Sequence, residues 1–175
     1  MLLTIKIVSL FFIVLLSSFL GYLISNKYSY RVNELQDIVS AMELLETRVK
    51  YTYDTISDSF EFVANNMKTK AYRIFMNAAA CLKENRKMSA GDIFRNACDD
   101  EIIFLNITNE DLDVLKGLGT SLGQVDLEGQ LKNIVLVRKL VEKQLEDAIN
   151  GKNKNFKLSR NMGVFVGLTI MIILL

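Results

Sequence analysis

The chain has no histidine, no proline and no tryptophan, and only two cysteines in 175 residues. Without histidine it lacks the commonest general base and the commonest metal ligand. Its serines therefore have no histidine to activate them. Cys81 and Cys98 fall short of the four ligands that a structural zinc site uses. They are expected to be reduced residues packed on helices, with a disulfide as the alternative. Without proline, long helices can run with no forced kink. Net charge is missing too: 21 basic against 20 acidic residues give +1. That offers no broad basic face for nucleic acid. No cofactor and no small-molecule substrate is expected.

Charge is also absent from both ends of the chain. Residues 7–24 carry none, and neither do residues 162–175. Half of all residues are apolar and the mean hydropathy is +0.22, with the ends supplying much of the excess. The first segment, residues 1–25, is long enough for a spanning helix, which takes about 20 apolar residues. A cleaved signal peptide is the rival reading, with Lys6 before the apolar run. No clean small-x-small cleavage site follows, because Phe19, Leu20, Tyr22 and Leu23 continue the run. A retained anchor is therefore expected.

The second segment, residues 162–175, is shorter. As a helix it reaches about 21 Å, against roughly 30 Å of hydrocarbon. Local bilayer thinning absorbs such a mismatch, and a re-entrant helix is the alternative. Gly163 and Gly167 stand one turn apart, the spacing that lets a second helix approach closely in lipid. Lys27 and Arg31 follow the first segment, and Lys152, Lys154, Lys157 and Arg160 precede the second. Basic flanks stay on the cytoplasmic side. The middle, residues 26–161, is expected to be a cytoplasmic helical domain, with the basic run against anionic headgroups.

The middle carries helical periodicity throughout. Val32, Leu35, Ile38, Met42, Leu45 and Val49 recur at three- and four-residue steps, which places them on one helix face. After a break at residues 51–54, Ile56, Phe60, Val63 and Met67 form a second stripe. Tyr72, Phe75, Met76, Ala79 and Leu82 form a third. Ser89 with Asp92 predicts a helix start, and Thr108 with Asp111 resembles a capping box. Leu112, Leu115, Leu118 and Leu122 follow, with Gly123 placed for a left-handed turn. A last helix starts near Asp126 and turns Leu127, Leu131, Ile134, Val141, Leu145 and Ala148 to one side. No period-two run suggests a strand. The expected fold is all-α: a bundle of about six helices flanked by N- and C-terminal hydrophobic membrane helices, its first and last helices packed side by side.

No catalytic constellation emerges. Asp99, Asp100 and Glu101 are adjacent and point three ways, as in a solvated turn. Glu34, Asp37, Glu43 and Glu46 line the polar side of the first helix. That row is either an ordinary wet face or a recognition surface for a basic partner. Gly117, Gly119, Gly123 and Gly129 do not stand between a strand and a helix, so a phosphate-cradling loop lacks its context.

Three stretches resemble the stage III sporulation protein AB family. The first runs from Leu115 through Leu118, Gly119, Leu122, Gly123 and Asp126 to Gln130. The second is Leu45-Glu46, then Val49-Lys50-Tyr51, then Ile56. The third is the Gly163/Gly167 segment after a basic helix end. The resemblance implies a non-enzymatic membrane platform, similar to inner-membrane platform proteins of type II secretion. It implies a place in the mother cell membrane, in the mother cell–forespore channel complex of endospore formation. It also implies as partners a secretion-type ATPase, the AA protein of the same operon, and other membrane subunits of the channel. A general membrane-tethered helical adaptor is the alternative.

Overall fold

In the computed structural model, the backbone is described over residues 2–52, 54–84, 88–123 and 126–174. Side chains are described over 26–52, 54–84, 88–123 and 126–152, and at Thr169. Among these residues there are six α-helices and no strand, as the periodicity predicts. They are α1 (Leu2–Tyr51), α2 (Ile56–Asn66), α3 (Tyr72–Glu84), α4 (Ala90–Glu101), α5 (Asn109–Lys116) and α6 (Leu127–Leu174). Two short 3-10 turns, Ile102–Phe104 and Gly117–Thr120, follow α4 and α5. The hydrophobic ends are therefore not separate elements. They continue α1 and α6, helices of 50 and 48 residues. Gly151 does not end α6, because glycine in a helix costs only about 1 kcal/mol relative to alanine.

The chain divides into two units. One is the helical body Arg31–Glu146. The other comprises Met1–Tyr30 and Asp147–Leu175, the outer stretches of α1 and α6.

The helix starts follow local chemistry. Ser89 accepts from the Asp92 N–H at 3.1 Å, and Thr55 caps α2 in the same way through Asp58. Thr108 and Asp111 form a reciprocal capping box, with two otherwise orphaned donors satisfied at once. Asp126 accepts from the Gly129 N–H at 3.1 Å and opens α6. Gly123 sits at φ 71°, where a Cβ would be strained.

The core of the body is built on the predicted stripes. Leu35, Ile38, Met42 and Leu45 of α1 are buried, as are Ile134 and Val141 of α6, joined by Val137, which the stripe leaves out. Phe60, Phe75 and Phe94 bring α2, α3 and α4 to one point, with ring centroids 5.3–5.8 Å apart. Such pairs add about 0.5–1.5 kcal/mol each beyond their burial. Two stripe assignments are corrected. Tyr72 and Leu127 are exposed, each being the first residue of its helix.

Candidate functional site

The first helix carries an ordered series of polar connections. Arg31, Glu34 and Asp37 stand three residues apart and so share one side of α1. Arg31 donates to both Asp111 oxygens at 2.7 and 2.8 Å. Such bidentate pairs combine charge with fixed geometry. Glu34 is buried and accepts from the Asn106 backbone N–H and side-chain amide at 2.6 and 2.9 Å. Asp37 accepts from the Lys68 and Thr69 N–H groups and from the Thr69 hydroxyl, at 2.7–2.9 Å. Farther along, Glu43 and Glu46 face Arg138 of α6 at 3.6 and 3.5 Å. Glu34 and Asp37 thereby depart from both readings of this acidic row, since they hold α1 against the rest of the body, whereas Glu43 and Glu46 stay on its wetter side. The sequence hides this because each partner lies tens of residues away.

The solvated-turn reading of residues 99–101 is also corrected. All three lie in the last turn of α4. Glu101 is buried and accepts from Arg73 Nε at 2.5 Å and Asn77 Nδ2 at 3.2 Å. That carboxylate holds the Arg73 guanidinium above its ordinary pKa. Asp99 pairs with Lys116 of α5 at 2.5 Å, and this hydrogen bond raises the Lys116 pKa. Asp100 alone of the three has no ion pair or hydrogen bond among the described residues.

The family-like stretch forms a packing hub. Leu118 and Leu122 are buried. A Cβ on Gly91 would stand 2.0 Å from the Gly119 carbonyl oxygen, and one on Gly119 would stand 2.7 Å from the Gly91 oxygen. Two backbones therefore touch where α4 crosses the 3-10 turn. Asn133 Nδ2 donates to the Gly117 and Leu118 carbonyls and to Ser121 Oγ, at 2.7–3.2 Å. It closes carbonyls that the end of α5 leaves without helical partners. Gln130 is half-buried one turn earlier. Gly91 and Asn133 were missed in the sequence. The signal for Gly91 was available, because a glycine inside a helix is costly unless close packing requires it.

The cysteines differ sharply. Both are free; Cys81 is exposed and Cys98 buried. Burial pushes the Cys98 thiol up to about 12. Among the described residues no three His, Cys, Asp or Glu side chains are grouped to hold a metal. A cleft of about 540 Å³ lies between α1 and the α2–α3 turn, with Asn33, Gln36, Ser40 and Asn66 on its walls. Its one carboxylate, Asp37, is already engaged by the turn.

The remaining site assignments fall at the chain's ends. Lys152 is half-buried on α6. Lys154, Lys157, Arg160, Gly163 and Gly167 lie outside the residues whose side chains are described. The apolar runs 7–24 and 162–175 do as well, Thr169 excepted. Among the described residues no helix is long and apolar enough to cross a membrane.

Fold and polar geometry together define an all-helical protein whose buried charges set helix register. The chain belongs to the stage III sporulation protein AB family, whose model matches residues 6–175. It is therefore a sporulation protein. It is 22% identical over 170 residues to the stage III sporulation protein AB of Bacillus subtilis (strain 168), covering 97% of this chain and 99% of that one. A solved structure of a stage III sporulation protein AB (SpoIIIAB) matches its fold with a TM-score of 0.67 at 20% identity. That match covers 71% of this chain and 98% of the other.

Proposed function

We propose that this chain is a non-enzymatic platform subunit of a membrane channel complex between mother cell and forespore, docking a cytoplasmic secretion-type ATPase. The observation that carries the reading is where the apolar runs fall. Each continues one of the two longest helices of a helical body, and basic residues flank both on the body side. In this reading residues 1–25 and 162–175 are membrane helices and 26–161 the cytoplasmic domain. It sits in the mother cell membrane and does not bind nucleic acid. Lys152, Lys154, Lys157 and Arg160 meet anionic headgroups. Gly163 and Gly167 seat the short last helix against another helix, because close backbone packing drives association in lipid. Family membership favours this over an adaptor unrelated to sporulation.

The test uses Cys81. A membrane-impermeant maleimide should label it only after the mother cell is permeabilised. Gentle detergent extraction should bring the operon's ATPase down with the chain. Labelling in intact cells would refute the topology, and an extract free of ATPase would refute the docking.

A further inference from the structure

The polar bonds of the body sort its connections between two ends. Arg31 holds Asp111, Glu34 holds Asn106, and Asp37 holds Lys68 and Thr69. Gln144 of α6 donates to the Glu110 carbonyl at 3.2 Å. The α2–α3 turn, the α4–α5 connection and the start of α5 therefore share one end. It is the end where α1 enters the body at Arg31 and α6 leaves it at Glu146. The other connections lie away from it, with Arg48 and Asp54 paired at the α1–α2 turn. Lys132 stands twelve residues before Gln144 on α6, about 18 Å along the helix.

The α4–α5 connection at the entry end is apolar. Residues 102–105 read Ile-Ile-Phe-Leu. Ile103 is 77% exposed, more than any other large apolar side chain among the described residues, and Phe104 is 45% exposed. The pair is held out on a braced turn. The Leu105 N–H closes it on the Ile102 carbonyl at 3.0 Å, and Glu34 clamps Asn106 behind it. Arg73, fixed by Glu101, lies 4.3 Å over the Phe104 ring. Tyr72 beside Arg73 is exposed too. The neighbouring α2–α3 turn carries exposed Lys68 and Lys70, which Asp100 and Glu110 at the same end offset.

We propose that Ile103 and Phe104 insert into the lipid–water interface of the bilayer and form a third attachment of the body to it. The inference rests on the membrane part of the platform reading and does not need the ATPase. Two observations favour lipid over a partner protein. The knob lies at the end from which α1 and α6 continue toward the apolar runs. It is also only two side chains wide, far less than the roughly 800 Å² per partner of a specific protein interface. Shallow insertion of a few apolar side chains is enough for an interfacial contact. Aromatic rings such as Phe104 and Tyr72 suit the headgroup level, and Lys68 and Lys70 can reach along it. With its charges offset, the contact is driven by apolar burial and does not require anionic lipid.

The chain has no tryptophan, so a single introduced one reports its own surroundings. The full-length chain is reconstituted into phosphatidylcholine vesicles, plain or brominated near the top of the acyl chains. Bromine quenches tryptophan on contact. Ile103→Trp and Phe104→Trp should each lose at least about half of their emission in the brominated vesicles. Lys132→Trp should lose almost none. Adding Ile103→Asp to Phe104→Trp should bring its quenching down to the Lys132→Trp level. Leu16→Trp, in the first apolar run, reports separately whether that run is in lipid. Quenching of Leu16→Trp without quenching at 103 and 104 would overturn the proposal, keep the membrane reading and leave the knob to a partner protein. Absence of quenching at all positions would overturn both. Equal quenching of Ile103→Trp and Lys132→Trp, or quenching at 104 that survives Ile103→Asp, would also overturn the proposal.

Discussion

On α1, Glu34 and Asp37 turn into the body and meet backbone N–H groups. On the α3–α4 face, Glu84 and Asp100 border an open groove and meet no described partner. In the sequence the two sets look alike, as acids spaced along amphipathic helices. The difference comes from what packs alongside. An acid whose neighbours supply unsatisfied donors becomes part of the scaffold, because buried polar groups must be paired. An acid on a hairpin's outer surface meets only water, so its loss costs little stability.

The strongest way to break this comparison is Asp111→Ala. Asp111 is buried, holds both arms of Arg31 and completes the α5 capping box. Removing it loses the cap and both hydrogen bonds from Arg31, whose side chain is 25% exposed. Losing a cap costs about 1 kcal/mol, and losing hydrogen bonds to a charged group costs about 1.5–3 kcal/mol more. Urea unfolding of the variant should show a loss of that order with an unchanged slope. A loss under about 1 kcal/mol would mean that this carboxylate is as dispensable as a surface one.

Asp37→Ala tests the same class more gently. Three donors at the α2–α3 turn converge on one Asp37 oxygen. The site borders an open cleft, so water can replace part of what is lost. The expected cost is about 1–3 kcal/mol, with faster amide exchange at Lys68 and Thr69. By contrast, Glu84→Gln with Asp100→Asn should stay within about 0.5 kcal/mol of the parent, as surface changes usually do.

What could be read from the sequence was what acts over short range. The Ser89–Asp92 and Thr108–Asp111 caps are bonds across three residues, and their chemistry is local. The stripes of α1 and α2 follow from helical period alone. The all-helical fold was legible for these reasons, reinforced by the absence of proline. Arg31 with Asp111 spans 80 positions and Glu34 with Asn106 spans 72, and no local pattern encodes such pairs. The residues 99–101 show the same boundary within one turn. Their helical spacing correctly implies three directions. Only the tertiary neighbours decide that one meets Lys116, one Arg73, and one a groove.

The two cysteines repeat the inward–outward contrast in a second chemistry. Burial raises the Cys98 pKa to about 12, while an unfolded thiol titrates near about 8.5. Above that value the unfolded chain releases a proton that the folded chain retains. Fewer protons bound in the unfolded state make stability fall as pH rises. The contribution is intact below about pH 8 and is lost progressively toward the folded pKa of about 12. Lys116, whose pKa is also raised, weakens the fold in the same alkaline direction, so the parent's pH profile alone does not isolate the thiol. The comparison with Cys98→Ala does, since both chains keep Lys116. From pH 8 to pH 9.5 the parent should lose about 1 kcal/mol more than the variant. Parallel stability curves over that interval would show that Cys98 ionises as readily in the folded protein as in the unfolded chain, so that its burial has no electrostatic consequence.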